Sequence, residues 1–190
     1  MRTSSPLALI VLAAAAAVAL CCCDVAAAAD TVADSCNAIR DFVDVAFCTS
    51  HLRAVPGAAA ADRHGHLLMA ADLAAASGAS AGNAAAAAAR EESGDPAAQD
   101  ALRACGFLYG AASVPALRLL RGYAAARSWG AVRSLLMLTG QAGIGCDAAI
   151  AGTTAATAAA GAGGMKAANR EFDQLSTMAT ALVNVVDVAA

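Results

Sequence analysis

Apolar residues along this chain return at three- and four-residue steps, and no segment alternates apolar and polar positions in the two-residue rhythm of a strand. From Ala60 to Glu92 alanine, the strongest helix former, dominates, and Leu67, Leu68, Ala71, Ala74 and Ala75 share one face. Gly78 and Gly82 weaken that helix near its middle. Ser93-Gly94-Asp95-Pro96 then punctuates the chain. Gly94 suits a helix end, Asp95 an N-cap and Pro96 the first helical position of the next element.

The next helix puts Leu102, Cys105, Leu108, Tyr109 and Ala112 on one stripe, and Pro115 must kink or interrupt it. The stripe resumes through Ala116, Leu119, Leu120 and Tyr123, which makes Tyr123 an expected core residue. A helix over about 128–138 is predicted to end in a Gly-rich segment, 139–145. The Ala/Thr/Gly stretch 148–164 is the weakest signal, beginning as helix after Cys146. The last helix is the best defined, with Phe172, Leu175, Met178, Ala179, Leu182, Val185 and Val186 in register. About four long helices plus a short N-terminal pair predict an all-α fold, an antiparallel four-helix bundle.

The first residues set the compartment. Arg2, the apolar run 6–23 and the small residues Ala26–Ala29 follow the order of a cleavable secretory signal, so residues 1–29 are expected to be removed ahead of Asp30. The run could just span a bilayer as an anchor, but alanine makes it weakly hydrophobic. Cys21, Cys22 and Cys23 leave with the leader. The leader holds one Arg and one Asp, so residues 30–190 keep the net charge of −3. That mild acidity, with no basic stripe, argues against nucleic acid as a partner, and no membrane association is expected once the leader is gone.

Four cysteines remain, Cys36, Cys48, Cys105 and Cys146, and in a secreted chain they imply two disulfides with three possible pairings. Residues twelve apart on a straight helix lie about 18 Å apart, whereas bridged Cα atoms lie within about 7 Å. If Cys36 pairs with Cys48, the chain must therefore fold back near residues 41–43 into a hairpin. Bridging Cys105 to Cys146 would tie the start of one core helix to the loop after its neighbour.

Chemistry is thinly represented. His64 and His66 in "DRHGH" point about 200° apart on a helix and cannot grip one metal ion, so a solvated pair is expected, and His51 is distant. Bridged cysteines are poor nucleophiles, Glu91-Glu92 reads as a solvated helix end, and the glycines at 161–164 lack the strand and Lys-Ser/Thr of a phosphate loop. No catalytic residue, metal or cofactor is expected. Arg118, Arg121, Arg127 and Trp129 are the candidate partner-binding residues, with Arg127 and Trp129 foremost because Trp129 is placed at an exposed helix start.

The ordered set Cys36, "AFCTSHL", "ADRHGHLLMAADLA", "LRACGFLYGAA", "LLMLTGQAGIGCDAAI" and "NREFDQLSTMATALVNVV" resembles the plant family of pectin methylesterase and invertase inhibitors. The resemblance covers nearly all of residues 30–190. It implies bridges first to second and third to fourth, an N-terminal hairpin over 30–55, a bundle over 58–190, and function by binding in the apoplast. Its members occlude a cell-wall enzyme in a one-to-one complex. The invertase branch inserts a Pro-Lys-Phe loop toward the sucrose site, but here the corresponding segment reads Ala126-Arg127-Ser128-Trp129. Pectin methylesterase is thus the expected target. Acid invertase and a non-inhibitory structural role in the cell wall are the alternatives.

Overall fold

The computed structural model describes residues 30–153 and 160–187, with side chains over 30–153 and 164–186. The expected leader 1–29, with Cys21, Cys22 and Cys23, lies outside the described residues, as does 154–159 of the Ala/Thr/Gly stretch. The described residues contain helices and no strand, as an all-α fold requires. In chain order they are α1 Thr31–Ala38, α2 Val45–Arg53, a 3-10 turn Ala58–Ala60, and α3 Arg63–Glu91. Then come α4 Pro96–Phe107, a π-helical turn Leu108–Ser113, α5 Val114–Ala125, α6 Trp129–Thr139, α7 Gln141–Ala151 and α8 Ala160–Asp187.

The short connections force neighbouring rods to run antiparallel. Rod α3 packs on α8 and on the α4–α5 rod, and the α6–α7 rod closes the square against α4–α5 and α8. The result is a four-helix bundle carrying a helical hairpin, α1–α2. Aspartate caps start α3 and α4, the second where the sequence places it. Asp62 Oδ1 accepts from Gly65 N at 2.7 Å, and Asp95 Oδ1 accepts from Ala97 N at 2.9 Å with Pro96 beside it.

Glycine acts as a spacer in α3. That helix is unbroken, and a Cβ on Gly78 would lie 2.8 Å from the Phe172 ring and 2.9 Å from a Val114 methyl. Its bare backbone admits both side chains, which offsets the low helix propensity. The core between the rods combines these small positions with Leu67, Leu117, Leu120, Phe172, Met178 and Leu182, all fully buried. Tyr109 stands edge-on to Phe172, ring centroids 5.0 Å apart.

Two disulfides fasten the frame. Cys36–Cys48 closes the hairpin with Cα atoms 5.7 Å apart, the chain reversing where Phe42 N and Val43 N both donate to Ile39 O. Cys105–Cys146 joins α4 to α7 with Cα atoms 4.6 Å apart. In the chain-entropy account the two loops are worth about 3 and 4 kcal/mol. His66 ties the hairpin to the bundle. Its Nε2 donates to Ala58 O at 2.8 Å and its Nδ1 meets the Ser35 hydroxyl at 2.8 Å, with no exposure to solvent.

Three expectations are corrected. His66 is buried, not solvated, because the hairpin folds over it. The Gly-rich residues 141–145 are helical, so Cys146 sits within α7 and not in a loop. Here packing overrides propensity: a Cβ on Gly143 would collide with the Asp173 carboxylate, and one on Gly145 would lie 2.8 Å from Leu108. Tyr123 is 42% exposed and Leu119 is 52% exposed, while Leu117, Leu120 and Ala124 are buried. The wider π turn before Pro115 rotates the buried face of α5 away from the phase that unbroken α-helix would give.

Candidate interaction surface

The turn between α5 and α6 is closed. Arg127 N donates to Ala124 O and Ser128 N to Tyr123 O, each at 2.9 Å. Arg127 takes φ +55°, in the left-handed region, and its side chain is exposed. Trp129, the first residue of α6, is half-buried against the core and edge-on to His64, ring centroids 6.0 Å apart. This corrects the expectation of an exposed indole. His64 in turn donates from Nε2 to Ala124 O at 2.9 Å, so the imidazole clamps the end of α5. His64 and His66 thus face different elements, as their two-residue spacing requires.

The arginines divide into two settings. Arg121 Nε donates to both carboxylate oxygens of Asp72, at 3.0 and 2.9 Å. This exposed pair is worth about 0–1 kcal/mol. Arg118 lies one turn away and lines a trough of about 790 Å³ between α3 and the α4–α5 rod. Arg90 and Arg103 line the same trough. The structure thus separates Arg121 and Arg127 from Arg118, and it adds two arginines from distant parts of the sequence. Their helical spacing gave no hint of this, since antiparallel packing alone brings residues 90 and 103 together.

A second polar cluster sits where α7 meets α8, one residue from the Cys105–Cys146 bridge. Tyr109 Oη donates to Asn169 Oδ1 at 2.7 Å, and Asn169 Nδ2 donates to Asp147 Oδ1 at 2.5 Å. Burial, then the charges of Asp173 and Asp147, hold the Tyr109 hydroxyl in its neutral form far above the usual phenol range. Among the described residues Asp173 Oδ1, beside the backbone of Gly143, is buried with no hydrogen-bond partner. Burial, with Asp147 adding to it, pushes the Asp173 carboxyl up from 3.8 to about 6. Asp147 and Asp173 line a cavity of about 350 Å³ that also receives Asp44, Lys166 and Arg170. Periodicity places Asp173 beside the apolar stripe of α8 but says nothing of its burial.

Among the described residues no three His, Cys, Asp or Glu side chains gather as a metal site would, and the four cysteines are bridged. The chemistry on offer is recognition: a disulfide-held frame with polar and cationic groups fixed on rigid helices. The segment Trp129–Ala151 is long and apolar enough, by length and composition, to cross a membrane, and 22% of its apolar window is buried in the bundle. Compared with known families, residues 30–182 match the one described as plant invertase/pectin methylesterase inhibitor. No curated protein matches the chain.

Proposed function

The chain belongs to the plant invertase/pectin methylesterase inhibitor family, and on that premise we propose that it is a secreted protein that occludes the active-site cleft of a cell-wall pectin methylesterase in a one-to-one complex. The family consists of inhibitors of one or the other enzyme, generally secreted to the cell wall. The observation that favours pectin methylesterase is the α5–α6 turn. It is closed by two backbone hydrogen bonds and carries Arg127-Ser128, with neither a projecting loop nor the Pro-Lys-Phe that the invertase branch inserts. A surface without an insertion element suits a shallow cleft that is covered from outside.

The bundle supports this reading energetically. Two bridges and a packed core leave little conformational freedom to lose on binding, so more of the contact energy appears as affinity. Residues 1–29 serve as the leader that exports the chain, and the protein itself carries out no catalysis.

The test is a panel of pectin methylesterases and acid invertases assayed with increasing amounts of the oxidised protein. Loss of esterase activity alone supports the proposal. Loss of invertase activity alone reverses the target, and full activity of every enzyme at micromolar protein refutes an inhibitory role. N-terminal sequencing of secreted material should begin at Asp30, and retention of Met1 would refute the leader.

A further inference from the structure

The floor of the trough between α3 and the α4–α5 rod includes four glycines. Gly82 faces Tyr109, where a Cβ would come within 3.0 Å of the Tyr109 Cβ, and Gly106 lies against the carbonyl of Gly82. Gly78 and Gly110 extend the same floor, and the π turn Leu108–Ser113 forms part of one wall. These small residues leave an open channel of about 790 Å³.

Its charge is one-sided. Among the described residues Arg90, Arg103 and Arg118 line it and no Asp or Glu does, in a chain whose net charge is −3. The nearby acids are engaged elsewhere. Asp95 caps α4, Glu92 accepts from Gly94 N and Asp95 N, Asp100 pairs with Arg103 at 3.0 Å, and Asp72 holds Arg121. Glu91 is exposed beside Arg90. Among the described residues neither the Arg90 nor the Arg118 guanidinium makes a hydrogen bond or ion pair. Two guanidinium groups thus project over the channel with all their donors free, and a third is held only by an exposed partner.

From this geometry we propose that the α3/α4–α5 trough docks an extended acidic peptide segment of the partner enzyme, its carboxylates taken by Arg90, Arg103 and Arg118. The inference rests on the inhibitor reading above. Carboxylate matches the guanidinium fork, which binds it through paired hydrogen bonds. Arg103 and Arg118 are fifteen residues apart on one rod, about 22 Å at helical rise. An extended strand covers that distance with about seven residues. The amides of Asn83 and Gln99 stand along the walls for backbone contacts. Gln99 Nε2 is taken by Ala89 O and Glu92 O, which leaves its Oε1 as an acceptor. A peptide is favoured over an acidic sugar chain because the channel offers no exposed aromatic face for a sugar ring. Tyr109, its one aromatic, is fully buried.

The test compares the oxidised wild-type protein with the triple variant R90Q/R103Q/R118Q, and with Arg40→Gln, an exposed arginine at the hairpin turn, as the control. All three should give the same helical circular dichroism. The probes are fluorescein-labelled hepta-aspartate, a labelled seven-unit polygalacturonate and the inhibited esterase. The triple variant should bind hepta-aspartate and inhibit at least about tenfold more weakly than wild type, with a flatter dependence on salt. R40Q should behave as wild type. Hepta-aspartate bound equally by wild type and triple variant, or by neither, overturns the proposal. So does tighter capture of the polyuronate, which would assign the trough to carbohydrate. Unchanged inhibition by the triple variant overturns the trough as the docking site. Absence of inhibition by wild type, with arginine-dependent capture of hepta-aspartate intact, refutes the enzyme reading alone and leaves an acidic protein partner.

Discussion

Replacing Asp173 by Asn should change how the protein's stability depends on pH. The Asp173 carboxyl stands at about 6, up from 3.8, because it is buried and faces Asp147. A carboxyl whose folded value is raised binds its proton more tightly in the native state, so its contribution opposes folding as it ionises. Stability is fully present below about pH 4 and is lost as pH rises through about 6. The full shift, about two units at 1.36 kcal/mol each, would be worth ~3 kcal/mol. Asp173 keeps part of its surface in solvent, and screening reduces the expected loss to about 1–2 kcal/mol. Asn cannot ionise, so the variant should gain that amount over wild type between about pH 4 and pH 7.5. The assay is urea unfolding of both proteins at a series of pH values, disulfides intact, with the wild-type curve subtracted from the variant's to cancel other groups. A difference that stays flat across the window, or that grows toward low pH, would refute the assignment.

Three further outcomes follow from the packing. Gly78→Ala places a methyl 2.8 Å from Phe172 and should cost about 1–3 kcal/mol, read as a fall in melting temperature of several degrees; an unchanged melt would contradict the close approach. His66→Leu leaves the Ser35 hydroxyl buried and unpaired and the Ala58 carbonyl with only Ala61 N, costing about 1–3 kcal/mol. Hydrogen exchange should accelerate first in α1 and α2, and uniform acceleration would argue against a local clamp. The double variant C36A/C48A opens a loop of sequence separation 12 and should lose about 3 kcal/mol of stability while the bundle stays helical, measured by thermal unfolding and circular dichroism.

The sequence carried the architecture because its signals were local. Asp95-Pro96 and the apolar stripe of α8 mark boundaries and faces within a few residues. The bridges that the family resemblance implied are those the structure contains. What escaped was set by distant contacts. Gly143 and Gly145 read as a loop until Asp173 and Leu108 are seen to need their bare backbone. His66 read as surface because its hairpin partner, Ser35, lies thirty-one residues earlier in the chain. The π turn shifted the face of α5, which moved Tyr123 outward and left Leu117 inside. Arg118 stood out as a cation, but its two companions in the trough come from the far end of α3 and from α4.

The central claim is that a preformed, bridged bundle covers the cleft of a pectin methylesterase. Calorimetric titration of an active esterase into the oxidised protein near pH 6, with residual demethylation measured on the same samples, tests it most directly. The account predicts saturation at one protein per enzyme with activity lost in step. Full activity at saturating protein, or no detectable binding, would contradict it.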